Sequence, residues 1–323
     1  MHWTNILLLP TIVGSALPLV SAESCIQPAE RREWRTLLDS ERENYVAAVK
    51  CLTTKPSKLG LATSLYEDFP WIHARLNLYV HFVASFLPWH RWFVHLYESA
   101  LRDECDYVGP MPYWDWTQDS GALPSAPVFS DSPKGFGGPG LSSGFSSPAR
   151  PNPLTSCVTT GVFANFTMTY YTREERPHCL NRQFNNGTGS EPTDPFWQAI
   201  LYSPATVANI TDNSTTFEVF WKALENTPHG AIHNVIGGDM VPSTSPNDPL
   251  FFLHHSQVDR LWWIWQQKDP AARSLNYSGN KYQSPDETPA SLNDTLTYEG
   301  FTTNITVSDV MSTESEKLCY IYI

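Results

Sequence analysis

Two histidine triplets constrain this chain more than any other feature: His73, His81 and His90 early, then His229, His233 and His255 late. Each triplet lies in an aromatic-rich segment of helical character with no cysteine close by. Neutral imidazole suits copper, zinc, iron and nickel, so two three-imidazole clusters predict a pair of metal sites. Four segments converging on two metals inside a helical bundle is a known way to build such a centre. The expected fold is therefore mainly α, an antiparallel four-helix bundle with long loops and little β structure. Each half of the chain holds only three ligands and neither completes the site, which predicts one domain rather than two.

Spacing refines this picture. His229 and His233 are four residues apart, so on a helix they share one face about 40° apart and can grip one ion. His255 supplies a third nitrogen from a facing helix. His73 and His81, eight apart, are rotated by roughly 80° on an ideal helix. The helix therefore breaks before His81, or the two ligands come from different elements. Pro88 opens a new helix that carries His90 and runs to about Glu104.

The text around the histidines is more specific than their number. The first stretch reads His81-Phe-Val-Ala-Ser-Phe-Leu-Pro-Trp-His90-Arg91, with Glu98 further along. The second reads His229-Gly-Ala-Ile-His233, followed by Asp248-Pro-Leu-Phe-Phe-Leu-His254-His255 and Asp259. Both resemble the copper signatures of the tyrosinase and polyphenol oxidase family, whose coupled centres are called type 3 copper. The resemblance runs from about Arg31 to Tyr322 and is nearest to the short fungal polyphenol oxidases. It implies two copper ions with three histidines each, and it assigns metal to His255 rather than His254. Three histidines also suit catalytic zinc, which would mean hydrolysis; the resemblance favours copper.

The resemblance further implies oxidation of o-diphenols to o-quinones, with O2 reduced to water. Many relatives also hydroxylate monophenols, using a water held by a glutamate and an asparagine. Glu225 occupies the glutamate position, but Gly230 stands where the asparagine would be, and Asn234 follows the second late histidine instead. Strong diphenol oxidation with weak monophenol hydroxylation is therefore expected. A tyrosinase with full monophenolase activity and a hemocyanin-like O2 carrier are the alternatives. Several relatives join a cysteine to the second early histidine through a thioether; no cysteine lies near His81, so His81 is expected to be the more mobile ligand. Tyr320-Ile-Tyr322 resembles the Tyr-x-Tyr element that closes the family's catalytic domain. Longer relatives continue into a domain that shields the copper, and this chain stops there.

Other residues take supporting roles. His254 lies about 100° around the helix from His255 and reads as a cavity-lining group behind the ligands. Asp259, one turn beyond His255, suits an acceptor that fixes an imidazole N–H, or a plain ion pair with an arginine. Phe252 and Val241 are candidates for the entrance, where a phenol ring would pack. Arg91 and Glu98 stabilise the helices, while His95 and His178 have no metal-spaced partner.

Composition sets the compartment. An apolar run from Ile6 ending in Val20-Ser21-Ala22 reads as a signal peptide over residues 1–22, leaving a single catalytic domain over 23–323. A net charge of −12 argues against nucleic acid and anionic membrane as partners. Six cysteines in an oxidising compartment imply three disulfides. Spacing leaves fifteen pairings open; the working expectation is Cys25 with Cys319, Cys51 with Cys105, and Cys157 with Cys179. Sequons at Asn165, Asn186, Asn209, Asn213, Asn276, Asn293 and Asn304 predict N-linked glycans on surface loops.

Periodicity locates the helices. An apolar stripe predicts one from Ala29 to Cys51 behind Pro28, and another from about Phe69. Further helices are expected over Phe217–Asn226, around His229 and His233, and over Asp248–Lys268. Residues 120–153, rich in Gly, Pro and Ser, read as a surface excursion. Short strands are expected at Leu296–Phe301 and Leu318–Ile323.

Overall fold

Helices make up most of the regular structure, as the histidine spacing requires. A computed structural model describes residues 25–142, 156–184 and 197–323. The expected signal peptide, the Asn186 sequon and the end of the Gly/Pro/Ser-rich stretch lie outside these residues. Among the described residues the helices are α1 (Asp39–Leu52), α2 (Leu65–Val80), α3 (Phe86–Cys105), α4 (Pro204–Asn213), α5 (Phe217–Leu224), α6 (Gly230–Ile236), α7 (Leu250–Gln267) and α8 (Pro270–Arg273). The strands are short and paired: β1 (Ala29–Arg31), β2 (Leu141–Ser142), β3 (Ser156–Cys157), β4 (Thr167–Tyr171), β5 (Glu174–Cys179), β6 (Thr295–Leu296), β7 (Ile305–Thr306) and β8 (Tyr320–Tyr322). No described helix is long and apolar enough to cross a membrane.

The first helix starts later than periodicity suggests. Residues Ala29–Arg31 form β1, which pairs in parallel with β8 so that Arg31 lies opposite Tyr322. The reason is Arg31, whose fully buried guanidinium stacks 3.4 Å over the Tyr320 ring and donates to Glu98 at 2.5 Å. Such anchorage outweighs a helical stripe. α1 then begins at Asp39, where the Glu41 carboxylate accepts from the Leu38 N–H at 2.6 Å, satisfying one free helix-end donor. Similarly, α2 starts at Leu65, ahead of Phe69, and runs through Pro70.

Two helix ends place metal-site histidines. α2 stops at Val80, and His81 takes an extended conformation as its cap; the break foreseen between His73 and His81 is present. Between α5 and α6 the chain does not stop but widens into a π-helical turn, Glu225–His229. Pro228 lies inside that turn and has no N–H for the ordinary ladder, which gives a physical cause for the wider turn.

The core is one continuous aromatic and aliphatic cluster. α3 packs along α7 and α1, so the two histidine-bearing segments that sequence separates are brought side by side. Cysteines are bonded in the expected pairs, Cys25–Cys319, Cys51–Cys105 and Cys157–Cys179. The first joins the segment before β1 to β8. Sequon residues Asn165, Asn209, Asn213, Asn293 and Asn304 are exposed, while Asn276 is half-buried.

Candidate metal centre

The six motif histidines converge in one place. His73 comes from α2, His81 from its cap, His90 from α3, His229 from the π turn, His233 from α6 and His255 from α7. Within the early triplet the ring centroids are 4.9 to 5.5 Å apart. Within the late triplet they are 4.6 to 5.7 Å apart. The triplets touch: His90 stacks on His255 at 4.4 Å.

Backbone carbonyls orient five of the six rings. Nδ1 faces the carbonyl of Ser243 in His73 (2.6 Å), Asn77 in His81 (3.1 Å), Phe86 in His90 (2.8 Å), Glu225 in His229 (3.1 Å) and Met240 in His233 (2.5 Å). A carbonyl can only accept, so each Nδ1 carries the proton and each Nε2 presents a lone pair. Neither ring nitrogen of His255 has a protein partner, and the Nε2 of His229 is likewise unpartnered. Burial pulls His81 and His233 down to about 4 and holds the other four well below their usual value. All six are therefore neutral donors near neutral pH.

These are the attributes of metal ligands. The Nε2 atoms of His73 and His90 lie 3.3 Å apart, lone pair facing lone pair. A buried repulsion of that kind is relieved by a cation. The donor set, all neutral nitrogen without thiolate or carboxylate, fits copper or zinc.

His254 belongs to the late group as well. It is fully buried, stacks on His229 at 5.3 Å, and neither of its nitrogens has a protein partner. The four late imidazoles place one donor atom each within 4.8 Å of one another. Packing alone thus admits His254 as a neighbour of the metal; the motif is what singles out His255.

A cavity of about 270 Å³ opens onto His73, His81, His229 and His233. Gly230, Asn234 and the exposed Val241 line it, as expected, together with Asn77, Phe82 and Ser243. Phe252 does not. It is fully buried and stacked face to face on Tyr97 at 3.4 Å; its neighbour Phe251 is the residue that packs on His255 (4.1 Å) and His73 (5.1 Å). The two rings meet edge to face at 5.2 Å, but about 100° of rotation on α7 turns only Phe251 toward the imidazoles.

Asp259 is the second correction. It reaches no imidazole. Its Oδ1 accepts from Arg91 at 2.5 Å and its Oδ2 from the hydroxyls of Tyr320 and Tyr322 at 2.6 Å each. The ion-pair alternative is the one observed, because α7 turns Asp259 toward β8 and α3. Arg91 shares this buried network and ties α3 to α7, whereas Glu98 ties α3 to Arg31 of β1 and to the Met111 N–H. Glu225 is buried below the cavity floor: Oε1 accepts from the Phe82 N–H at 2.8 Å and Oε2 has no partner. Burial pushes its carboxyl up to about 8, against the pull of that hydrogen bond.

The family model for the common central domain of tyrosinase matches residues 63–268. The chain belongs to the tyrosinase family. The tyrosinase-like protein phomQ1 of Diaporthe leptostromiformis is 39% identical over 313 residues, covering 93% of this chain and 79% of that protein. A polyphenol oxidase from Thermothelomyces thermophila superposes with a TM-score of 0.76 at 31% identity, covering 92% of this tyrosinase-family chain and 89% of that one. A functional unit of octopus hemocyanin shares the fold, with a TM-score of 0.55 at 21% identity over 91% of this chain and 68% of that one.

Sequence reasoning missed several contributors to this tyrosinase-family centre. The carbonyls of Ser243, Met240 and Asn77 leave no mark in a sequence, since any residue offers one. Arg182 was missed too. It grips Asp248 through two hydrogen bonds of 2.6 and 2.8 Å, both residues being fully buried, and Asp248 in turn caps α7 at Leu250. An arginine beside Leu180 and Asn181 in a loop carries no motif that would reveal this.

Proposed function

We propose that the chain is a secreted dinuclear copper oxidase that converts o-diphenols to o-quinones, two diphenols being oxidised for each O2 reduced to two waters. The observation that carries this reading is the inward-facing set of neutral Nε2 donors, with His73 and His90 in lone-pair opposition at 3.3 Å. His73, His81 and His90 would hold one copper, and His229, His233 and His255 the other, within an antiparallel bundle of four helical segments. Bound copper supplies the one-electron steps that the side chains lack.

The protein's own residues orient the substrate. The cavity has room for one aromatic ring, bounded by Val241 on one side and Phe82 on the other. Gly230 leaves the floor beside His229 without a side-chain amide, and Glu225 has committed one oxygen to Phe82. With its carboxyl pushed up to about 8 by burial, Glu225 is mostly protonated at neutral pH, and nearby positive charge would favour its ionised form. A monophenol must lose its proton on arrival, whereas a diphenol is more acidic and binds more readily. Fast diphenol oxidation with slow monophenol hydroxylation follows. Export is supported by the apolar run before Ala22, the three disulfides and the exposed sequons.

Metal analysis with oxygen uptake tests the reading. Two copper ions per chain and rapid uptake with 4-methylcatechol, far exceeding that with tyramine, are expected. Zinc without oxygen chemistry would point to a hydrolase, and copper that binds O2 without consuming catechol to a carrier.

A further inference from the structure

His81 is the one early histidine outside a helix. His73 and His90 are held by the hydrogen-bond ladders of α2 and α3, but His81 caps α2, and the next residue, Phe82, adopts a left-handed φ of 56°. A bulky side chain rarely takes that conformation unless its surroundings impose it. No cysteine is near to tether the ring covalently. Something else must hold it.

The loop carrying Asn280 and Gln283 does so. Gln283 Nε2 donates to the His81 carbonyl at 3.0 Å, and Asn280 Nδ2 donates to the Phe82 carbonyl at 3.0 Å. The Asn280 carbonyl accepts from the Ala84 N–H at 2.9 Å, and the Phe82 N–H is taken by Glu225. Asn280 Nδ2 also reaches the Tyr282 carbonyl at 2.5 Å, which fixes the loop's own shape. The His81 and Phe82 carbonyls and the Ala84 N–H, which no helix satisfies, are thus satisfied from one remote segment, and the Phe82 N–H from Glu225.

We propose that Asn280 and Gln283 are positioning residues for the early metal site, fixing the His81 backbone so that its imidazole meets those of His73 and His90. They do for this chain what a covalent tether does elsewhere, and they hold Phe82 at the cavity mouth. On this proposal His81 is held as firmly as its two partners. The proposal rests on the reading that His73, His81 and His90 hold a copper ion.

Chelator-driven copper release from the loaded protein tests it. In Gln283→Leu, Gln283→Glu and Asn280→Ala, one of two copper equivalents should leave roughly tenfold faster, the scale on which such supporting contacts act. The second should leave at the wild-type rate, and the Tm of the copper-free variants should match that of copper-free wild type. Placed in a His229→Asn background, which keeps only the early site, Gln283→Leu should accelerate the single remaining release. Wild-type release in all three variants overturns the proposal, and so does joint acceleration of both ions with a lowered Tm, which marks a merely structural loop. A wild-type protein that never holds two copper ions defeats the copper reading itself, and the proposal with it.

Discussion

The Nε2 atoms of His73 and His90 approach to 3.3 Å although the Nδ1 of each ring faces a carbonyl, that of Ser243 and of Phe86 respectively. Neither ring has a proton left to share with the other. Removing one partner should therefore cost the metal but little of the fold: the repulsion goes, while the half-buried Ser243 carbonyl loses its donor, a cost of about 1–3 kcal/mol at most. His73→Phe, flanked by Phe93 and Phe251, is expected to bind one metal per chain instead of two and to lose diphenol oxidation. Its metal-free form should unfold within several degrees of the wild-type Tm. Elemental analysis with a thermal melt decides the matter; two metals retained would remove His73 from the ligand set.

Gly230 offers a second test. A Cβ built there meets only the Glu225 carbonyl, at 3.4 Å, an ordinary contact. The Cβ of Gly230→Asn thus needs no backbone rearrangement, and its amide would extend into the cavity that Gly230 lines. With Glu225 it could hold a water at the substrate's hydroxyl, and positioned proton acceptors contribute ~100-fold or more to such steps. The tyramine rate should rise at least several-fold relative to 4-methylcatechol. Glu225→Gln, which still accepts from the Phe82 N–H, should lower the tyramine rate and leave the diphenol rate nearly unchanged. If neither substitution moves the ratio of the two rates, Glu225 and Gly230 have no part in proton removal.

Asp259 governs stability rather than chemistry. It is almost wholly buried between Arg91, Arg31 and the two tyrosine hydroxyls of β8. Removing its charge leaves the buried Arg91 without its carboxylate, while Arg31 keeps Glu98; breaking such a buried pair costs about 3–5 kcal/mol. Asp259→Asn should lower unfolding free energy by about that amount in urea titration, while copper content of the folded fraction stays at wild type. A loss below about 1 kcal/mol would show that the network contributes little.

How much of the fold and the metal centre was legible in the sequence depends on the kind of signal. The convergence of the six histidines was legible because a metal site would need one residue type at fixed helical spacings, the family motif chose His255 over His254, and the His81 break came from eight residues of rotation. Groups that act through the backbone were not. Ser243 and Met240 orient His73 and His233 with carbonyls that every residue possesses, so their identity carries no information. Phe252 and Phe251 differ by one step on α7, and no periodicity in a helix buried on nearly every side says which faces the imidazoles. Ala29–Arg31 read as helix because the stripe beyond it is helical; the deciding partner, Tyr320–Tyr322, is at the far end of the chain and is reached only through the fold. The π turn at Glu225–His229 left one local hint, Pro228, whose missing N–H fits the wider turn.

His178, away from the metal ligands, should give the molecule a pH signature. Its Nε2 lies 2.9 Å from Asp239, which is fully buried and also accepts from the Asn181 N–H at 2.7 Å. Burial pulls the imidazole down, but the hydrogen bond and charge of Asp239 outweigh it, and the net shift is upward from the ordinary 6.5. A histidine raised on folding stabilises the folded chain while it is protonated. That contribution is complete below the unfolded value of about 6.5 and is lost as pH rises through the higher folded value. The buried imidazoles that stay neutral in the folded chain raise the stability of both proteins as pH climbs from about 6 to 8, so the part played by His178 is read as a difference: His178→Asn should be less stable than wild type at the low end of that range, with the gap closing toward the high end. Urea titrations of both proteins at a series of pH values provide the check. Parallel slopes would mean that Asp239 is satisfied by the Asn181 N–H and that the imidazole adds no charge to the pair.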